Sequence, residues 1–239
     1  MAEIQVCLST ALFGNFDVQG KNVVVIDVLR ATSAICSVFK AGASKVYATD
    51  DYQEALNFQK NGMLAAGESD GIKCEGFDFG NSPLLFGKTD LSGKEVAFYT
   101  TNGTRAIKMI STAADNIVIA CMSNLSAVIN FLNSEKKDIV IFCAGWKGQP
   151  SVEDTLCAGA LCEALLITDH FELKNDVALL SQLFWKQNQS NIKELIIQSE
   201  HSQRLKKLGF SDDVEFCSLI DTANVLPLNE DSYFCNKFQ

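Results

Sequence analysis

The sequence lacks most of the features that zinc proteins, nucleotide-binding folds and membrane proteins require. It contains two histidines, and its nine cysteines include no Cys-x-x-Cys pair, so the clustered ligands of a zinc site are missing. No apolar run reaches about 18 residues, the length that a membrane-spanning helix needs. Neither G-x-x-x-x-G-K-S/T nor G-x-G-x-x-G occurs, and these are the glycine fingerprints of nucleotide-binding folds.

Basic residues are also in deficit. With 20 Lys and Arg against 29 Asp and Glu, the formal net charge is -9, which argues against nucleic acid and anionic membranes as partners. The first residues, 1–5, lack the basic start and apolar run of a secretory signal peptide. An odd number of scattered cysteines is typical of reduced, buried thiols, so we expect a cytoplasmic protein.

Short apolar, β-branched runs alternate along the chain with helical patterns, and this alternation is what a layered α/β/α fold requires. We predict a mainly parallel central sheet, with a mixed sheet left open. The predicted strands are 23–26, 45–48, 63–66, 95–99, 117–120 and 138–143, with a late short strand at 214–217. The predicted helices are 34–41, 51–61, 104–112, 125–133 and 152–167, and segment 169–203 is polar and helical.

The 239 residues are 47% hydrophobic, which is enough to bury a core without disulfides or metals. No internal repeat, low-complexity tract or linker divides them. We therefore predict a single domain over residues 1–239. Two closely packed subdomains, with a boundary near 115–150, remain an alternative. The number of subunits is open, and a homo-oligomer is compatible with the sequence.

Polar residues follow several predicted strands, where ligands collect in open α/β sheets. Small hydroxylated residues, glycines and carboxylates recur in these segments, so we predict a binding site at this edge of the sheet. The segments are Asp27-Val28-Leu29-Arg30-Ala31-Thr32-Ser33, Gly67-Glu68, Gly76-Phe77-Asp78-Phe79-Gly80-Asn81-Ser82-Pro83, Thr100-Thr101-Asn102-Gly103-Thr104-Arg105, Ala144-Gly145-Trp146-Lys147-Gly148 and Ser151-Val152-Glu153-Asp154.

Arginine is rare, and its distribution points to a small anion as ligand. Two of the three arginines, Arg30 and Arg105, lie in the segments after strands, whereas Arg204 does not. The planar guanidinium suits bidentate contact with phosphate, carboxylate or sulfonate. Ion pairs on the first turns of two helices are the alternative. The 100–104 segment looks like an anion cradle, because a glycine lets neighbouring N–H groups turn inward; a turn followed by a Thr104 N-cap is its alternative.

Carboxylates in the same segments suit Mg²⁺, which prefers oxygen ligands and keeps several waters. Asp27 follows four aliphatic residues, where a carboxylate is costly without a cation or hydrogen-bond donors. Glu68 and the pair Glu153 and Asp154 are the other candidate ligands. Asp154 also stands three residues after Ser151, so it could instead belong to a capping box at the start of a helix.

Taken together and in order along the chain, these segments resemble the ComB family of 2-phosphosulfolactate phosphatases. The resemblance includes Leu205-Lys206-Lys207-Leu208-Gly209 and Asp213-Val214 and covers nearly the whole chain. It implies a Mg²⁺-dependent phosphoric monoester hydrolase that releases phosphate from 2-phospho-3-sulfolactate in coenzyme M biosynthesis. The family pattern has Gly-Glu-Arg near the third strand, whereas Gly67-Glu68 is followed here by Ser69-Asp70. That basic substrate contact is therefore either missing or supplied by Lys73 or Lys147.

The resemblance and the residues lead to one set of expected roles. The expected catalytic residues are Asp27, Arg30 and Asn102. The expected metal ligands are Asp27, Glu68, Glu153 and Asp154. The expected substrate-binding residues are Arg30, Thr32, Ser33, Asn81, Ser82, Thr100, Thr101, Asn102, Gly103, Thr104, Arg105 and Lys147.

Several alternatives stay open. A metal-bound water is the favoured nucleophile, because Leu29 occupies the third position of the D-x-D-x-T pattern in which aspartyl phosphatases carry a second carboxylate; a phospho-aspartate at Asp27 is the alternative. His201 could carry protons or be an ordinary surface residue. The substrate could be another phosphorylated carboxylic acid, such as phosphoglycolate or phospholactate. A non-catalytic protein that binds small anions is the alternative from a different class.

Overall fold

The structure, a computed structural model, describes residues 1–100, 103–110 and 114–238, without the side chains of 103–105 and 108. Within these residues the fold is α/β, as predicted, with eleven strands in one sheet. The strands are β1 (Ala2–Cys7), β2 (Asn22–Ile26), β3 (Lys45–Thr49), β4 (Leu64–Ser69), β5 (Ile72–Lys73), β6 (Glu95–Tyr99), β7 (Asn116–Ala120), β8 (Ile139–Cys143), β9 (Phe171–Leu173), β10 (Pro227–Glu230) and β11 (Tyr233–Asn236). The helices are α1 (Ala31–Lys40), α2 (Tyr52–Lys60), α3 (Pro83–Phe86), α4 (Gly103–Ile110), α5 (Leu125–Glu135), α6 (Val152–Leu165), α7 (Asp176–Asn188), α8 (Ile192–Gln198), α9 (Glu200–Lys207) and α10 (Ser211–Cys217).

Strand β2 lies at the centre of the core and is buried along its whole length. Its residues alternate between two apolar clusters. Val24 and Ile26 pack in a cluster with residues of α5 and α6, whereas Val23 and Val25 pack in a cluster with residues of α1 and α4. Helices therefore cover both faces of this strand, which explains why its sequence is continuously apolar rather than alternating.

The sheet has the order β5-β4-β6-β3-β11-β10-β7-β2-β8-β1-β9 and is mixed. One parallel block contains β4, β6 and β3, and a second contains β7, β2, β8, β1 and β9. The antiparallel hairpin of β10 and β11 joins the blocks. It does so through one residue pair on each side, Leu228 with Val118 and Phe234 with Val46.

All six predicted strands of the alternating pattern occur, and the five predicted helices begin and end within a few residues of their expected bounds. Residues 111–112 of the third predicted helix, 104–112, lie outside the described residues. The late strand predicted at 214–217 is wrong, because these residues form the last turns of α10. One face of that helix is buried, and it carries Asp213, Val214 and Cys217. Their spacing of three to four residues is typical of a helix, but a helix of seven residues is too short to repeat it.

Two expectations from composition can be compared with the structure. All nine cysteines are free thiols, and eight of them are buried while Cys235 is half-buried. Among the helices of the described chain, none combines the length and apolar character needed to span a membrane.

Candidate functional site

A cavity of about 140 Å³ lies at the carboxyl ends of strands from both parallel blocks. Its walls include Asp27 after β2, Glu68 in β4, Thr100 after β6 and Trp146 after β8. Six strand-to-strand steps separate β4 from β2, which would place them roughly 29 Å apart in a flat sheet. One cavity nevertheless touches residues of both, so the two parallel blocks contribute to the same site.

Asp27 is 7% exposed and lies on the cavity wall. The pKa of its carboxyl is raised from 3.8 to about 7. Burial is the largest cause and the nearby carboxylates Glu68 and Glu153 add to it, whereas the Ala31 N–H group and Arg30 oppose it. The Ala31 N–H donates to Asp27 Oδ1 at 3.3 Å. The negative charge around Asp27 is therefore greater than the hydrogen bond from Ala31 to its carboxylate can offset.

Arg30 lines the same cavity, and hydrogen bonds to two other residues fix the position of its guanidinium. Its Nη1 donates to Asp213 Oδ2 at 2.6 Å and its Nη2 donates to the Gly71 carbonyl at 3.1 Å. The guanidinium carbon lies 3.9 Å from the centre of the Phe210 ring, and the two charged side chains are 2% and 3% exposed. Asp213 and Phe210 come from or adjoin α10, so the C-terminal helices set the position of Arg30.

The hydroxyl groups of Thr32 and Ser33 face the backbone rather than the cavity. Thr32 Oγ1 donates to the Asp27 carbonyl and Ser33 Oγ to the Val28 carbonyl, each at 2.8 Å, and Thr32 Oγ1 also accepts from the Asp27 N–H. Both side chains are buried and neither lines the cavity. Their visible role is to hold the turn between β2 and α1, and a direct contact with substrate stays a prediction.

Asn81 and Ser82 differ in position, since Asn81 faces the cavity and Ser82 contacts a residue that holds Arg30 in place. Asn81 lines the cavity, is 5% exposed, and its Oδ1 has no hydrogen-bond partner among the described residues. Ser82 caps α3, accepting from the Leu85 N–H, and donates to Asp213 Oδ1 at 2.7 Å. Asp213 therefore accepts a hydrogen bond from Ser82 on one carboxylate oxygen and a hydrogen bond from Arg30 on the other.

The predicted anion cradle is only partly visible. Thr100 is buried and lines the cavity, next to the end of β6. Thr101 and Asn102 lie outside the described residues. The backbone of Gly103, Thr104 and Arg105 begins α4, and nothing is described of their side chains.

The remaining predicted metal ligands differ in what their oxygens contact. Glu68 lines the cavity, and its Oε2 accepts from the Gly71 N–H. Glu153 is 1% exposed, with Oε1 2.9 Å from His201 Nδ1 and Oε2 unpartnered in the described part of the chain. Asp154 is occupied on both oxygens, because Oδ1 accepts from the Val28 N–H at 2.8 Å and Oδ2 from the Gly145 N–H at 3.1 Å.

The donor set fits a magnesium ion that keeps most of its water. Within residues 1–100, 103–110 and 114–238, no three Asp, Glu, His or Cys side chains form a group that could hold a metal ion by themselves. Mg²⁺ needs fewer protein ligands, since it binds through one or two carboxylates plus substrate phosphate. Asp27 and Glu68 share the cavity wall, and Glu153 carries a buried oxygen that lacks a donor. Metal binding stays a prediction.

An aromatic and basic wall closes the site on the side of α9. The Trp146 ring stacks on His201 with centroids 5.2 Å apart, and Lys147 Nζ lies 4.4 Å from the centre of the Trp146 ring. These three residues also line a second cavity of about 330 Å³ at the start of α6. Lys147 thus lines the cavity, and its contact with substrate stays a prediction.

Sequence reasoning assigned no role to Asp213 or Arg204, which contribute to the site from α10 and α9. Both lie in the polar C-terminal third, where no buried strand marks a carboxyl end. The scarcity of arginine was the available signal for Arg204. For Asp213 the available signal was its place in the family resemblance, which gave it no role, because its partners Arg30 and Ser82 lie 183 and 131 residues away in sequence.

Comparisons with known proteins give one consistent family description. Residues 9–232 match the family described as 2-phosphosulpholactate phosphatase. A protein from Caldanaerobacter subterraneus subsp. tengcongensis named probable 2-phosphosulfolactate phosphatase is 39% identical over 215 residues, covering 88% of each chain. A protein of the same name from Thermotoga petrophila is 41% identical over 210 residues, covering 88% of this chain and 89% of its own. One from Clostridium perfringens is 35% identical over 232 residues, covering 95% and 92%.

Proposed function

Since the chain belongs to the 2-phosphosulpholactate phosphatase family, we propose that it hydrolyses 2-phospho-3-sulfolactate to 3-sulfolactate and inorganic phosphate. The observation that carries the proposal is the single cavity in which Asp27, Glu68 and Arg30 meet. A phosphate ester of a small polyanion needs carboxylates for a cation and basic groups for its own charges. The cavity offers both.

The reaction is a transfer of the phosphoryl group to water. The water oxygen forms a bond to phosphorus, the bond between phosphorus and the C2 oxygen breaks, and the leaving oxygen takes up a proton. The protein contributes little covalent chemistry to such a transfer, so catalysis depends mainly on positioning the reacting groups and stabilising their charge. We assign the phosphate to the region of Asp27 and Arg30, where the ion pair with Asp213 holds the guanidinium in place.

Magnesium is part of the proposal. Asp27 and Glu68 would hold the ion, and Glu153 would contribute through its unpartnered oxygen or through water. When bound, Mg²⁺ supplies positive charge next to the phosphate oxygens. The two backbone hydrogen bonds that Asp154 accepts join the turns after β2 and β8 on which the site is built, and its place among the metal ligands stays a prediction.

Phosphate release with and without chelator tests the function directly. We expect the purified protein to release phosphate from 2-phosphosulfolactate in Mg²⁺, and to lose that activity in EDTA and regain it when Mg²⁺ is restored. Phosphoglycolate and phospholactate serve as matched substrates without sulfonate. Faster turnover of either one would replace the sulfolactate assignment, and binding without turnover of any ester would favour an anion-binding protein.

The raised pKa of Asp27 predicts a pH-dependent stability difference in chelated protein. Below about pH 4 the carboxyl is protonated in both states; between pH 4 and about 7 the unfolded chain loses this proton while the folded protein keeps it, so stability falls. Above pH 7 the accumulated loss is constant, at about 4 kcal/mol. In EDTA, Asp27→Asn should therefore melt above wild type at pH 8 and lose that advantage toward pH 4.

Differential scanning calorimetry of wild type, Asp27→Asn and the exposed control Asp169→Asn measures this. Mg²⁺ should raise the melting temperature of wild type at pH 8 and leave Asp27→Asn unchanged, because the variant lacks the carboxylate. An equal response of both proteins to Mg²⁺ would remove Asp27 from the metal site.

A further inference from the structure

Arg204 lies on α9 and lines the same cavity as Asp27, Arg30 and Glu68. Its side chain is 28% exposed, so it is neither buried in the core nor extended into solvent. Its Nη2 donates to the Asp70 carbonyl in the turn between β4 and β5. The guanidinium is therefore held at the rim of the cavity by a backbone contact.

Arg204 and Arg30 differ in how their charges are balanced. Arg30 forms a 2.6 Å ion pair with Asp213, and both partners are almost fully buried. The carboxylate found near Arg204 is Asp70, whose oxygen is 3.6 Å away and whose side chain is 97% exposed. Exposed pairs of this kind contribute little. Of these two arginines, Arg204 keeps the greater capacity to bind an incoming anion.

We propose that Arg204 binds the second acidic group of the substrate, a carboxylate or sulfonate, and so determines specificity for acid-bearing phosphate esters. This inference rests on the proposed function. A guanidinium presents paired N–H donors that match the oxygens of either group. In a cavity of about 140 Å³, a phosphate beside Asp27 leaves an acidic group one or two carbons away within the same space. A phosphate ester without such a group makes no use of Arg204.

Steady-state kinetics of Arg204→Gln test the proposal with four substrates. These are 2-phosphosulfolactate, phospholactate without sulfonate, 2-(phosphooxy)ethanesulfonate without carboxylate, and p-nitrophenyl phosphate with neither. We expect KM for 2-phosphosulfolactate to rise roughly 10- to 100-fold, the loss typical of a hydrogen bond to a charged group. The kcat/KM ratio of 2-phosphosulfolactate to p-nitrophenyl phosphate should fall by a similar factor, and Arg204→Lys should restore part of it.

Lys207→Gln is the matched control, since it removes one positive charge from an exposed position on the same helix. The truncated substrate that loses affinity in Arg204→Gln identifies which acidic group is bound. A proportional loss on all four substrates, or no change on any, overturns the proposal.

Measurements on the wild-type protein distinguish a failure of the proposed function from a failure of the assignment of Arg204. If wild type prefers another acid-bearing ester, that ester replaces 2-phosphosulfolactate in the ratio. If wild type turns over none, calorimetric titration with 3-sulfolactate decides: weaker binding to Arg204→Gln than to Lys207→Gln supports the assignment, and equal binding overturns it.

Discussion

Replacing Asp27 with asparagine is expected to lower kcat for phosphate release on the order of 1,000-fold, the scale of losing a preorganised charge at the reacting group. Asparagine preserves the size of the side chain and can still accept from the Ala31 N–H, so the turn after β2 should keep its shape. What is lost is the negative charge next to Glu68 and Arg30. Phosphate release from 2-phosphosulfolactate in excess Mg²⁺ measures the effect.

The control is Asp169→Asn, which removes an exposed carboxylate and should keep wild-type activity. Circular dichroism should show the same fold in all three proteins. An active Asp27→Asn variant would end the assignment of this residue. Acid quenching of wild type with ³²P-labelled substrate separates the two nucleophiles, since attack by water leaves the protein unlabelled and a phospho-aspartate traps the label.

The second large effect is expected from Asp213→Asn. The substitution leaves the Arg30 guanidinium buried without its carboxylate, a defect that costs about 3–5 kcal/mol of unfolding free energy. Arg30 would also be free to move, and displacing a positioned group can cost on the order of 100-fold in rate. Urea denaturation and kcat/KM measure the two losses.

Asp212→Asn provides the matched control, because the neighbouring side chain is exposed and its loss should change stability by less than about 0.5 kcal/mol. The double variant Arg30→Met with Asp213→Leu removes both charges together. We expect it to recover much of the lost stability while remaining inactive. Recovery of activity along with stability would show that Arg30 serves only the fold.

Three of the strands that the sequence predicted, β2, β7 and β8, are buried along nearly their whole length. β2, β7 and β8 read as continuous apolar runs because helices cover both sides of the sheet. Strands β10 and β11 pair antiparallel in a hairpin, and each contacts a parallel block through a single residue pair. Each is only four residues long and neither is continuously apolar, so they could not be recognised.

The candidate site divides in the same way. Asp27 could be located because a carboxylate after four buried aliphatic residues is unusual, and Glu68 because it follows the predicted strand 63–66. The hydroxyl groups of Thr32 and Ser33 could not be interpreted from sequence, since only the structure shows that they bond to carbonyls of their own turn. The ion pair of Arg30 could not be predicted from sequence either, because its carboxylate partner lies in a different third of the chain.

The hairpin of β10 and β11 has a consequence for protein synthesis. These two strands follow every other described strand in sequence, yet they occupy the middle of the sheet. A nascent chain must therefore expose the edges of β3 and β7 until the ribosome has produced residues 227–236. Unpaired edges are the places where strands of different molecules join. Chaperone demand during translation should thus depend on how soon these late residues emerge.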